Sequence, residues 1–525
     1  MTMRRQYKIT LMLILLLALM APALSSQAVK PRDMAYAYIV PQQSYMAVGQ
    51  PATFTLQMSE APEGYDFSYN FCRVIQVPGE EKSQLESLDS IKSTTETTYT
   101  GTAPEPGIYM LIATITDKDY YSVELRTESL IAESPGAAQD PSTVTGKVKA
   151  LAAEVTALNL PHDYDRALWL HDWLIYNADY DASMTVHHPR GVLLDGTGVC
   201  ESYAIAYQML LTEVNIPSIY VTGYAGGELH AWNLVQLDGE WYHIDSTWDD
   251  PIGGGNEGYG YFGLNDAMMA RDHDWERQNY VFPQATGQQY NYLLRNGAKQ
   301  FASPEEMDRV LGEAVTNKES PIQYLYTGED KYFGAMDQVT TWLKDNRNKY
   351  AIDGWNQTGS RFSGKAELTY ASTDGVRMFS DDTGLDAALS AAMAARENPI
   401  SIRYNGDDRY YYLSTPLRDW LSANARRYYL KEYSYNYTDT SAEITVSYND
   451  YTGYAEFADD QQLAALLAAA MEQKTTALKL YYTGTDEWYN LGNQLSIWQA
   501  ENAQQVRQYY GSIGRYEADI TVEYK

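Results

Sequence analysis

From residue 299 onward the chain is written three times. Phe301, Phe379 and Phe457 are separated by a constant 78 residues. The same offset relates Ile322, Ile400 and Leu478; Tyr326, Tyr404 and Tyr482; Gly328, Gly406 and Gly484; and Trp342, Trp420 and Trp498. Behind each phenylalanine lie apolar residues at helical spacing, Met307/Leu311, Leu385/Leu389 and Leu463/Leu467, and each unit closes on an alternating strand (AELTYAS, AEITVSY, ADITVEY). Five landmarks on one offset do not arise by chance. They predict three tandem α+β repeats, 299–376, 377–454 and 455–525, each running strand–helix–strand–helix–hairpin. Tyr433, Tyr435 and Tyr437 fall on one strand face at period 2. Such a face suits a cell-wall or surface polymer, but repeat-wide aromatics at equivalent positions favour packing of sheet on helix.

The N-terminal third has a different period. Residues 1–28 carry Arg4, Arg5 and Lys8, then the apolar run ITLMLILLLALM, then small residues with Ser26 and Ala28 spaced for cleavage. The run is shorter than the ~20 residues a spanning helix needs, which predicts a cleaved signal peptide and a secreted or cell-surface chain; a retained anchor is the alternative. Residues 34–132 alternate in short runs (YAYIV, ATFTLQM, SYNFCRVIQV, IYMLIATITD) separated by turn residues. This spacing predicts a β-sandwich, immunoglobulin-like, and EPGIYMLIATITDKD resembles the late strands of bacterial domains of that type. A Pro/Gly/Ser/Thr segment, 133–146, then marks a linker before the next domain, 147–298. The net charge of −30 opposes binding to nucleic acid and to anionic membranes. Two cysteines in 525 residues cannot supply stability through a disulfide framework.

One of the two, Cys72, lies within an alternating strand and reads as a buried, inert thiol. The other, Cys200, follows Gly196 and Gly198 and opens a helical pattern (CESYAIAYQMLL). A helix N-terminus lowers a thiol's pKa and makes it reactive. His230 begins a strand pattern (HAWNLVQL), and Asp245 closes the next (EWYHIDSTW), with Asp238-Gly239 as the tight turn between them. That hairpin would set imidazole and carboxylate side by side, giving nucleophile, base and orienter. Against it stand ordinary readings: a lone cysteine before a helix is more often packing, and a lone histidine on a strand is usually a satisfied polar residue. His243 rivals His230 but lies on the same strand as Asp245. Close ligand pairs for zinc are lacking, and no P-loop or dinucleotide glycine pattern occurs, so no cofactor is expected. Spacing alone leaves these alternatives open.

The segment from GVCESYAIAYQMLL through HAWNLVQLDGEWYHIDSTWDDP resembles the core of bacterial transglutaminase-like proteins. Together with RALWLHDWLIYNADYD upstream and YFGLNDAMMARDHDW downstream, the resemblance covers residues 164–297. It implies an α+β papain-like fold with Cys200 as nucleophile, His230 as base and Asp245 as orienter. The family often has glycine where this chain has Ser202, and an aYG motif where it has HHPRG before VL. The second departure bears on the substrate cleft. Tyr180 stands at the family's YD position and is the candidate second oxyanion donor beside the Cys200 N–H, with packing as its other role. Trp232 and Trp248 are candidate cleft walls with an equal claim to core packing, and His273 in RDHDW matches a family position and reads as structural. The expected function is thiol acyl transfer on protein or peptide amides. A cysteine peptidase or amidase on the same triad, or a non-catalytic surface scaffold, are the alternatives.

Overall fold

The computed structural model describes residues 34–75, 83–127, 130–250, 252–253, 257–275 and 281–525. The expected signal peptide, 1–28, lies outside the described residues. No helix among the described residues is long and apolar enough to cross a membrane. The chain divides into two compact units. The first comprises residues up to 313 with 321–338 and 357–366, the second 314–320, 339–356 and 367–525.

The first unit begins with two sheets that share one apolar core. One is three-stranded, Ala37–Pro41, Pro51–Met58 and Thr98–Thr102. The other is built around the antiparallel pair Tyr65–Ile75 and Gly107–Asp117. Alternation places Phe54, Phe67, Phe71, Tyr99, Tyr109 and Leu111 between them. Phe71 stacks on Tyr109 with ring centroids 5.5 Å apart. One strand, Gln84–Thr94, has no buried face, which is why its polar sequence gives no periodic signal. The segment expected as a linker is folded. A 3-10 turn spans Ala137–Gln139, and a helix runs Val144–Ala157 with Thr143 as its N-cap. Gly146 is there for contact: a Cβ would stand 1.9 Å from the Asp140 carbonyl oxygen.

Next comes an α+β core. Three helices, Val144–Ala157, Asp163–Asn177 and Cys200–Glu213, lie with a five-stranded antiparallel sheet ordered Phe262–Leu264, Glu240–Ile244, Glu228–Leu237, Ser218–Ala225 and His273–Asp274. The Cys200–Glu213 helix is buried on nearly every face, as its continuous apolar run requires. It ends in left-handed Asn215 (φ 60°), where the Ile216 N–H reaches back to the Leu211 carbonyl at 2.9 Å. Asn233 Nδ2 donates to the Ala204 carbonyl at 3.0 Å and fastens the helix to the central strand.

From residue 299 three four-stranded sheets follow with the same order. They are Lys299–Phe301, Ile322–Tyr326, Ser363–Tyr370, Ile352–Gly359; Val376–Phe379, Ile400–Tyr404, Ser441–Tyr448, Leu430–Tyr437; and Ala455–Phe457, Ala477–Tyr482, Glu517–Tyr524, Val506–Ile513. In each the first pair is parallel and the second antiparallel. The recurring landmarks have a steric cause. Tyr326, Tyr404 and Tyr482 fold back so that each hydroxyl accepts from the N–H of Asp330, Asp408 or Asp486, at 3.2, 3.1 and 3.2 Å. Each ring stacks on Phe333, Tyr411 or Tyr489 with centroids 4.0, 4.0 and 3.9 Å apart. A Cβ on Gly328 or Gly406 would fall 2.3 Å from that hydroxyl, and on Gly484 2.4 Å. Tyr435 packs against the core of the middle segment. Successive segments are joined from one equivalent position, with acceptors two places apart in the repeat: Asn348 Nδ2 donates to the Asp408 carbonyl at 3.3 Å, and Arg426 Nε to the Gly484 carbonyl at 3.0 Å.

The division into units does not follow the period. Leu325, on the second strand of the first 78-residue segment, is buried in one cluster with Val221, Trp232, Leu264 and Met269 of the α+β core. Arg271 donates to the Tyr326 carbonyl and lies over the Phe362 ring at 4.2 Å. The boundary expected at 298/299 therefore falls inside a shared core.

Candidate active site

Gly196 (φ 74°) turns the chain into the short strand Thr197–Gly198. Gly198 serves close approach, since a Cβ would lie 2.5 Å from Ser202 Oγ. Cys200 is the first residue of its helix, N-capped by Val199 without a side-chain hydrogen bond. Its thiol thus sits at the positive end of the helix dipole, where first-turn N–H groups lack intrahelical acceptors. It is 4% exposed.

The hairpin turns at Asp238 (φ 46°) and Gly239 (φ 96°), as a two-residue turn matched to strand twist requires. Asn233 pairs with Ile244, which brings His230 opposite the chain just beyond the strand end. There His230 Nε2 meets Asp245 Oδ2 at 2.7 Å. With Nε2 engaged, Nδ1 is the nitrogen left for Cys200, whose sulfur lies near enough to act on the charge of the ring. Burial pushes the imidazole down, but the Asp245 charge, the nearby Cys200 sulfur and the hydrogen bond to Asp245 outweigh it and lift His230 to about 10. Asp245 is completely buried. Burial pushes its carboxyl up, yet His230 and His273 hold it well below the usual carboxylate range. Asp245 Oδ1 accepts from the N–H groups of Thr247 and Trp248 at 3.0 and 3.2 Å, which locks the carboxylate's orientation.

The structure brings Cys200, His230 and Asp245 together and sorts the remaining candidates. Tyr180 lies in the strand Asp179–Tyr180, parallel to Thr197–Gly198. Burial, then the charge of nearby Cys200, pushes its hydroxyl up to about 12. Trp232 is almost fully buried and donates its Nε1–H to His243 Nδ1 at 3.0 Å. It backs the His230 ring at 6.1 Å between centroids and is core rather than cleft wall. Trp248, partly exposed, stands 5.8 Å from His230. His243 has both nitrogens engaged, the second with Asp266 Oδ1 at 2.9 Å, and does not compete as base. Cys72 is a buried strand thiol whose burial raises its pKa.

The two departures noted beside Cys200 contact one another. Ser202 Oγ donates to the His188 carbonyl at 2.8 Å, and Glu201 Oε2 meets His187 Nδ1 at 3.0 Å. That carboxylate raises the His187 pKa against its partial burial. The HHPRG segment is thereby tied to the first turn of the nucleophile's helix.

Two features escape sequence reasoning. His171, wholly buried on the Asp163–Asn177 helix, faces Asp249 with Nε2 and Oδ2 3.3 Å apart, close enough for ion pairing but not aligned as a hydrogen bond. Burial lifts Asp249 to about 6 despite that partner. His273 is the second: its Nε2 lies 3.1 Å from the same Asp245 oxygen that His230 engages. Donor atoms of His230, Asp245 and His273 lie within 4.8 Å of one another. Both histidines are hydrogen-bonded to one carboxylate oxygen.

Residues 149–246 match the transglutaminase-like superfamily. Over 101 residues the chain is 28% identical to kyphoscoliosis peptidase from Mus musculus and to that from Homo sapiens, covering 16% of this chain and 15% of each relative. Most of those relatives' length thus has no counterpart in the match. Among solved structures, the periplasmic domain of TgpA from Pseudomonas aeruginosa bound to ethylmercury is 16% identical, covering 43% of this chain and 87% of that one with a TM-score of 0.19. A further structure described as a TGase is 16% identical, covering 19% of this chain and 31% of that one, also with a TM-score of 0.19. The chain therefore contains a transglutaminase-like domain, at residues 149–246, and Cys200, His230 and Asp245 all lie within it.

Proposed function

We propose that this domain is a thiol acyl-transfer enzyme acting on protein or peptide amides, in a chain that is exported. The observation that carries the reading is a single one: a thiol at a helix N-terminus near an imidazole whose Nε2 is held 2.7 Å from a buried carboxylate. Cys200 Sγ, its proton already drawn onto His230, attacks the amide carbonyl carbon. Negative charge gathers on the carbonyl oxygen, where the Cys200 N–H and the Tyr180 hydroxyl are the donors at hand. The C–N bond then breaks as His230 returns the proton to the leaving nitrogen, giving ammonia from a glutamine side chain or an amine from a peptide. An incoming amine or water surrenders a proton to His230, attacks the thioester, and expels the sulfur.

Hydrolysis on the same triad, that of a peptidase or amidase, is the second reading, and it is supported by relatives that bear the name peptidase. The test is thioester trapping on the wild type and Cys200→Ala, with labelled amine and with water as acceptors. Amine adduct that rises with amine concentration and vanishes in Cys200→Ala supports transfer. Amide hydrolysis with no adduct at any concentration replaces transfer by the peptidase reading. Absence of any Cys200-dependent product leaves a non-catalytic scaffold.

A further inference from the structure

We propose that His273 is a positioning residue of this site, holding the Asp245 carboxylate in place for His230 from the far side. The inference rests on the triad reading above and extends it by one residue. Asp245 Oδ2 lies between two imidazoles, His230 Nε2 at 2.7 Å and His273 Nε2 at 3.1 Å. The other nitrogen of His273 is fixed as well: Nδ1 meets Asp272 Oδ1 at 2.7 Å, and Asp272 Oδ2 accepts from the Tyr261 hydroxyl at 2.7 Å. A continuous chain thus runs Tyr261, Asp272, His273, Asp245, His230, and ends on the ring that faces the Cys200 charge. The His273 side chain has no solvent-exposed surface, and neither does that of Asp245, so water does not supply the fourth hydrogen bond in its place.

The fold has made room for this contact. His273 sits on a two-residue strand, His273–Asp274, that pairs with Tyr224 and Ala225 at the edge of the sheet. Gly223, directly opposite His230 in the register, is what lets that strand approach. A Cβ there would stand 2.1 Å from the Asp274 carbonyl oxygen and 3.0 Å from the Trp232 ring. Trp248 and Trp232 then clamp the His273 ring from two sides, with centroids at 4.7 and 5.0 Å. A histidine that merely filled space would not need both nitrogens on carboxylates.

The physical role follows from acceptor chemistry. A buried carboxylate stays ionised only while donors offset its desolvation, and Asp245 has four: two backbone N–H groups and two imidazoles. The other ionisable groups whose charges bear on this cluster are Cys200, Tyr180, Asp249, Tyr261 and Asp272. None of them donates a hydrogen bond to Oδ2 among the described contacts. Removing His273 therefore makes Asp245 easier to protonate, and the support it gives His230 is lost at a higher pH.

The test is the pH profile of Cys200 alkylation by iodoacetamide in the full chain, read by peptide mass spectrometry with fold checked by thermal melting. His273→Leu should move the acid limb upward by about one pH unit, a tenfold loss of rate on that limb. His273→Gln, which retains an N–H donor, should stay within about threefold of wild type. A His273→Leu profile superimposed on wild type overturns the proposal, and so do equal shifts in Leu and Gln variants, which would mean packing alone. Should His273→Leu not fold, Asp272→Asn carries the test through the Nδ1 anchor, with a smaller upward shift expected and superposition again overturning it. His230→Ala separates the two readings. If it leaves the profile unchanged the triad itself fails; if it alters the profile and the His273 variants do not, only the positioning role fails.

Discussion

Replacing Asp245 by asparagine tests whether the buried carboxylate sets the state of His230. The change is nearly isosteric, so the effect is one of protons rather than volume. An asparagine oxygen can keep the two backbone donors, Thr247 and Trp248 N–H, at 3.0 and 3.2 Å. Its amide nitrogen then takes the place of Oδ2, facing His230 Nε2 and His273 Nε2. That nitrogen can only donate, so His230 must accept at Nε2 and carry its proton on Nδ1, the nitrogen turned to Cys200. An imidazole in this tautomer cannot take the thiol proton. Loss of an opposite charge at this range lowers an imidazole's pKa by about one to three units, and the wild-type value of about 10 falls accordingly. Cys200 alkylation at neutral pH should slow by about a hundredfold, while Cys72, buried in its strand, serves as the internal control. Amide turnover, once a substrate is in hand, should drop by about 10⁴, the loss found when a triad carboxylate becomes an amide elsewhere. A change of less than threefold in alkylation, in a variant that melts like wild type, would refute the tautomer argument.

Three further outcomes are expected. Because His230 is raised from 6.5 to about 10 in the folded state, its contribution to stability is whole below pH ~6.5 and is lost as pH rises through 10; His230→Gln should flatten the melting temperature's decline over that window, and an undiminished slope would assign it to other groups. Leu325→Ala removes a side chain that is 1% exposed within the α+β core's cluster and should cost about 2–5 kcal/mol in denaturant titration followed by tryptophan fluorescence; a cost under about 0.5 kcal/mol would mean that the first repeat and the core do not share packing. Gly406→Ala places a Cβ 2.3 Å from the Tyr404 hydroxyl and 2.4 Å from the Ser380 carbonyl oxygen, and overpacking against backbone should cost about 1–3 kcal/mol, whereas a neutral result would remove the steric account of the repeat's glycines.

How much of this was readable beforehand differs between elements for physical reasons. Cys200 was legible because a helix start leaves a local mark, glycines followed by an apolar run. His230 and Asp245 stood out as candidates because a two-residue turn fixes register across a short loop, but it was the resemblance to transglutaminase-like proteins, not spacing, that chose them over the ordinary readings. His273 was visible as a residue but not as a partner. Its strand is two residues long, too short for any period, and it meets Asp245 only because Gly223 leaves a gap. For Trp232 the sequence left cleft wall and core packing with equal claims, and strand alternation on a sheet covered on both faces buries it. The repeat landmarks were found by offset alone, and the tyrosine–glycine contact supplies the reason they recur. The contact across the expected boundary near 298 was not legible, because Leu325 looks like an ordinary strand residue of its own segment and its burial with Trp232 is a tertiary fact.

The joints between successive segments, Asn348 to the Asp408 carbonyl and Arg426 to the Gly484 carbonyl, have a consequence for how such a chain can vary. In both cases the receiving atom belongs to the main chain, which is the same whatever residue bears it. A seam of this kind asks for a donor on one side and only a correctly shaped turn on the other. No matched pair of side chains has to arise at once, so a further copy can be spliced in, or one removed, without re-inventing its neighbour. The tail is in that sense a ruler of adjustable length, graduated in steps of one 78-residue segment.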